Sequence, residues 1–209
     1  MQWSELKGNY DAIFSLGELC LTSIQLEKNG LRPYAGPIDW MASYDLKDVN
    51  RLIQSRFKGF MDLEHLSVVN KASDKLYLVK ENYYNIFSNH DFYTHKNSYT
   101  DLAAYPEVKV KYDRRIHRFL EKMMTSRKIL FVRVGGSMED VAALQETLSN
   151  IVVHDFSILL INHTPVNQPT EVPCELNKVC HFHFPEFDIW RSNDHWWSQL
   201  FSEIYFLDE

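Results

Sequence analysis

Four runs of this chain are apolar almost without interruption: 12–16 (AIFSL), 128–134 (KILFVRV), 156–162 (FSILLIN) and 179–184 (VCHFHF). A strand with one wet face alternates apolar and polar residues, whereas a continuously apolar strand is covered on both sides. Buried strands of this kind pair in parallel and are joined by helices that pack on the two faces of the sheet. Helical segments stand where such connections are needed. Gly17 breaks the first run, a helix begins at or near Cys20, and Gly30 can close it. Asp45 caps a helix with Leu46, Val49, Leu52, Ile53 and Phe57 on one face. Pro106 opens the clearest helix, which runs to about residue 127 with Val108, Tyr112, Ile116, Phe119 and Met123 as its apolar stripe. Ser137 and Asp140 form a helix-start pattern ahead of Val141, Leu144 and Leu148. The segment 189–206 reads as an aromatic helix closing the core, with Asp194 as its cap.

Residues 60–105 have another texture. LEHLSVVN and KLYLVKEN are strand-like runs around Ser73 and Asp74 and predict a hairpin. The expected fold is therefore α/β: three-layer, with a mostly parallel sheet flanked by helices and a small antiparallel insertion around residues 60–105. At 209 residues it suits a single α/β domain, 1–209.

A net charge of -6 and a pI near 5.8 argue against nucleic-acid binding. No apolar run approaches the roughly 20 residues of a membrane span, and MQWSELKGNYD has no signal pattern. Cys20, Cys174 and Cys180 have no metal-knuckle spacing, and an odd count fits a reducing compartment, so the expectation is a cytoplasmic protein.

Cys20 carries the sharpest chemical signal. A thiol at a strand–Gly–helix junction lies beside unpaired N–H groups and the positive end of the helix dipole, both of which favour thiolate. The alternative is a buried packing cysteine. In parallel sheets ligands bind beyond the carboxyl ends of the strands, which selects Cys20, Arg133, Asn162, His163 and His183 as one converging rim suited to acyl transfer. The loop RPYAGPIDW delivers Asp39 and Trp40, and Arg114 and Arg118, one helical turn apart, can clamp an anion. His163, His181 and His183 read more readily as packed histidines than as metal ligands, and no metal or cofactor is expected. GSMED lacks the phosphate-loop pattern. Trp190, Trp196 and Trp197 can stack on sugar, although a core role is the simpler reading.

The pieces SLGELC (15–20), GLRPYAGPIDWM (30–41), NHDF (89–92), KYDRRIHRF (111–119) and ILFVRV (129–134) together resemble a bacterial family described as "putative papain-like cysteine peptidase", a domain of unknown function. Ile38 stands where family members commonly have Phe. The resemblance implies Cys20 as nucleophile, His90 as base and Asp91 or Asp39 as the acidic partner. It also implies roles for Arg114, Arg115, Arg118 and Arg133. Papain-like enzymes carry Cys on a helix and His on an antiparallel sheet, whereas a Cys after a parallel strand is nearer an esterase or acyltransferase layout. The expected function is a thiol-dependent hydrolase or acyl-transfer enzyme acting on a peptide, ester or thioester. Its substrate would be a small molecule, peptide or glycan-linked compound, anionic if the arginines and Trp40 line the mouth. The competing expectation is a non-catalytic glycan or nucleotide-sugar binding protein with an arginine-lined anion pocket. No oligomeric state follows from the residues.

Overall fold

The computed structural model describes residues 1–207. In chain order the elements are α1 (Trp3–Leu6), β1 (Gly8–Tyr10), β2 (Ala12–Ser15), α2 (Leu21–Lys28), β3 (Met41–Ala42) and α3 (Leu46–Gln54). A short 3-10 turn, Leu63–His65, leads into β4 (Leu66–Ser73), β5 (Leu76–Glu81) and β6 (Ile86–Ser88). The chain then runs through α4 (Tyr105–Thr125), β7 (Lys128–Val134), α5 (Met138–Ser149) and β8 (Asp155–Thr164). It finishes with β9 (Thr170–Val172), β10 (Val179–Pro185), α6 (Asp194–Phe201) and β11 (Ile204–Phe206).

The four apolar runs become β2, β7, β8 and β10, adjacent and parallel in that order, with β9 antiparallel on the outer edge. Side chains alternate between two cores, as a pleated strand requires. Phe14, Phe131, Ile158 and Leu160 face α3, α4 and α5. Ile13, Leu130, Leu159 and Phe182 face α1, α2 and α6. Phe14 and Phe119 meet at 4.7 Å between ring centres, which seats α4 over the edge strand β2. Asp45 and Ser137 cap α3 and α5 as expected, accepting from Lys47 N and Asp140 N.

The expected "mostly parallel" character holds only for the main sheet. A second, four-stranded sheet in the order β3–β6–β5–β4 is wholly antiparallel, and β1 and β11 form a separate parallel pair. The antiparallel layer also reaches outside 60–105, because β3 lies in the loop after Trp40 and pairs Met41 with Ser88. Two further expectations are corrected. The segment 189–206 is helical only over Asp194–Phe201, after which the chain returns to pair with β1. Asp194 does not cap α6: its carboxylate accepts from Gln25 Nε2 and Lys28 Nζ, each at 2.6 Å, and ties α6 to α2.

Candidate active site

The strand-to-helix turn after β2 is a built structure. Leu16 and Gly17 continue the pairing to β7, with Leu16 N donating to Val132 O and Val134 N donating to Gly17 O. Gly17 has φ +87, and a Cβ there would lie 2.2 Å from Ser43 Oγ and 2.9 Å from Arg133 Nη1. Thr22 Oγ1, in the first turn of α2, donates to Gly17 O. Cys20 follows as the residue that begins α2, half-buried, with its sulfur 3.9 Å from His90 Nε2. His90 lies two residues past β6 and is exposed.

Two loops therefore meet at this pair, and β3–β6 pairing is the reason: Met41 opposite Ser88 sets Trp40 beside His90, ring centres 5.5 Å apart and edge to face. Behind Trp40, the Arg32 guanidinium lies 5.0 Å from the indole centre. Asp39, 2% exposed, fixes that guanidinium through Arg32 Nε at 2.7 Å and also accepts from Gly36 N at 2.8 Å. Ser23 Oγ donates to Asp39 O, so α2 and the Trp40 loop are tied directly.

Neither acidic residue expected to orient His90 bonds it. Asp39 is engaged by Arg32, one step behind Trp40. Asp91, 7% exposed, turns inward and accepts from Ser88 Oγ, Lys111 Nζ and Tyr112 Oη. Burial alone would raise its pKa. The Lys111 ammonium and the three hydrogen bonds outweigh that and hold the carboxyl below its ordinary range. Asp91 thus anchors the segment that carries His90 to α4.

Burial also corrects the electrostatics expected of Cys20. Its thiol is pushed up, not down, because loss of water from the sulfur outweighs a backbone hydrogen bond acting the other way. No acidic residue stands in the first turn of α2, and the sulfur lies beside the His90 imidazole.

The arginines separate by environment. Arg133 is 0% exposed and gives its five N–H donors to Leu16 O, Gly135 O, Ser43 Oγ, Ser43 O and Tyr44 O. It locks three chain segments under the Cys20 turn and has no donor left for a ligand. Arg114 is exposed, whereas Arg118 lies over the Tyr34 ring and Arg115 over Tyr112, at 5.0 and 5.4 Å. One face of α4 thereby divides its cations between solvent and aromatic rings.

The expected convergence of strand-end histidines on Cys20 does not occur. Successive strands are about 4.8 Å apart, so β8 lies about 10 Å and β10 about 14 Å from β2. His181 and His183 instead neighbour each other at 5.0 Å, with Asn162 Nδ2 3.2 Å from His181 Nε2, and His163 packs on Phe184. Among the described residues no group of three His, Cys, Asp or Glu side chains could hold a metal ion. No helix among them is long and apolar enough to cross a membrane.

Sequence reasoning missed Arg32, Ser43, Ser88, Lys111 and Tyr112. Each acts through a hydrogen bond or a ring contact across the fold; Arg32, Lys111 and Tyr112 lie within the quoted family pieces, and Tyr112 was read only as part of the α4 apolar stripe.

An α/β fold that brings a helix-start thiol to an imidazole from a separate antiparallel layer defines a protein with a cysteine–histidine pair. Over residues 11–165 the chain matches the family described as "Putative papain-like cysteine peptidase", and it belongs to that family. It is also 26% identical over 180 residues, 76% of this chain and 80% of the relative, to "Uncharacterized protein R408" of Acanthamoeba polyphaga mimivirus. No solved structure matches the chain.

Proposed function

We propose that this protein is a cysteine hydrolase in which Cys20 is the nucleophile and His90 the proton carrier. The 3.9 Å separation of Cys20 Sγ and His90 Nε2 is the observation that carries the reading. Such contacts are commonly loose without substrate and tighten when it binds. Burial pushes the thiol toward its protonated form, and His90 Nε2 takes the thiol proton as the S–C bond forms at the substrate carbonyl carbon. The carbonyl π electrons move to oxygen, and the first-turn N–H groups of α2, which have no intrahelical acceptor, receive that oxyanion. Collapse of the adduct breaks the bond to the leaving amine, alcohol or thiol, which His90 protonates. Water, deprotonated by His90, then cleaves the acyl-enzyme and returns the thiol.

Trp40 is a positioning residue in this scheme: its steep ring contact sets the imidazole plane, and Asp39 and Arg32 set Trp40. Cys at a helix start and His beside an antiparallel strand is also the division that a papain-like description implies. Peptides rank first as substrates for that reason, with esters and thioesters as other acyl compounds that the same thiol would attack.

The test is hydrolysis of p-nitrophenyl acetate and of a fluorogenic peptide library by wild type, Cys20→Ala and His90→Ala. The reading expects turnover on at least one acyl substrate, reduced about 1,000-fold or more in each variant. Activity that survives Cys20→Ala, or a wild type inert to every acyl compound in the panel, overturns it.

A further inference from the structure

On the face of the sheet that carries α1 and α6, a cavity of about 250 Å³ opens beside β10. Its walls are Trp3, Phe182, Trp196 and Leu200, and Gln168 and Gln199 stand among them. None of the lining side chains is ionisable. The aromatic walls are fixed before anything binds. Trp3 meets Phe182 edge to face, 6.3 Å between centres and 87° between planes, and its Nε1 donates to Leu200 O. The Lys7 ammonium rests 4.2 Å from the Trp3 ring centre and is neutralised by Glu203. Trp196 is backed by the His195 ring at 4.2 Å. Gln168 and Gln199 are exposed, and neither side-chain amide hydrogen-bonds any described residue.

We infer that this cavity binds one neutral sugar ring. The absence of charge disfavours an anionic or cationic ligand, since an ion moved beside indole and phenyl walls would lose its water without a counterion. A hydrocarbon tail would make no use of the two primary amides that stand exposed at the cavity. A pyranoside satisfies both halves of the lining. Its axial C–H face packs on indole, and its hydroxyls, each donor and acceptor, match amides that are also both. The volume suits a single ring and not a long chain. The glycan affinity considered for the arginine side thus belongs at the opposite edge of the parallel strands, away from Cys20. This site is independent of the hydrolase reading and stands or falls by its own binding data.

The test uses the full chain and four probes: methyl β-glucoside, methyl β-galactoside, methyl α-mannoside and N-acetylglucosamine. Binding is followed by tryptophan fluorescence and by saturation-transfer NMR, with sodium octanoate as the apolar competitor. At least one sugar should bind saturably in the millimolar range. Trp196→Ala should weaken it about fivefold or more, and Gln199→Ala, at an exposed position that leaves the fold intact, about threefold. Cys20→Ser should leave the affinity unchanged. Absence of saturable binding by all four sugars, equal affinity in Trp196→Ala and Gln199→Ala, or octanoate binding without sugar binding overturns the inference.

Discussion

Arg133 and Asp91 are both buried ions, satisfied in different ways, and their substitutions should behave differently. Arg133 holds no carboxylate directly and is surrounded by carbonyls and a hydroxyl, with Glu18 supplying a favourable charge nearby. Replacing it by Met would strip donors from four carbonyls at once, two of them, Leu16 O and Ser43 O, in buried contacts. We expect a loss of about 3 kcal/mol or more in urea unfolding, with the Cys20 turn loosened as well. Asp91 is held below its ordinary pKa in the folded chain. Its contribution is therefore fully present above the unfolded carboxyl value near 4 and disappears as pH falls through the lower folded value. Wild type should exceed Asp91→Asn by about 2 kcal/mol at pH 7, and the two unfolding curves should draw together as pH falls below the ordinary carboxyl range. Cys20 has the opposite displacement: burial raises the thiol. Iodoacetamide labelling of Cys20, followed by mass spectrometry, should keep accelerating through pH 9 with no plateau near neutrality. A plateau below pH 7 would mean that His90 already holds the proton in the free protein.

At the scale of elements, the parallel strands were legible because both their faces are buried, so that composition and position agree. The α3 and α5 caps were legible for a local reason, since a cap bonds only two or three residues away. Pairing between distant segments was not. Met41–Ala42 is two residues long and has no period of its own, and it becomes a strand only because Ser88 and Phe87 lie opposite. Asp194 carries the residue type of a cap, but a lysine and a glutamine on α2 compete for its carboxylate and win. The candidate site was legible to the same extent: Cys20 from its junction, and His90 through the resemblance of NHDF to a family motif. The carboxylates were placed in the right loops and given the wrong partners. Gly17 tests the turn itself. Gly17→Ala adds a methyl where Ser43 Oγ stands 2.2 Å away, at φ +87, and should cost about 2 kcal/mol or more while displacing Cys20 from His90. By contrast Asp194→Ala, which breaks a half-exposed ion pair, should cost about 1 kcal/mol or less.

For the molecule as a whole, the two sheets differ in depth of burial. β7 and β8 are sealed between helices on both faces, whereas β4 is an edge strand with residues 70–73 exposed. Amide exchange should therefore be slowest in β7 and β8 and faster by orders of magnitude in the outer half of β4, as mass spectrometry of peptic fragments would register. That gradient has a bearing on reactivity. The sulfur and the imidazole stand 70 positions apart in the chain, and they are kept neighbours by two residue pairs, Met41–Ser88 and Ala42–Phe87, together with the Asp91 anchor to α4. In the proposed mechanism the nucleophile stands on the main sheet and the base on the small one, so the pair is made only while the two sheets stay docked. Loosening the small sheet by a few kcal/mol, through a mutation or a bound partner, would part the imidazole from the sulfur without unfolding the body that presents the thiol.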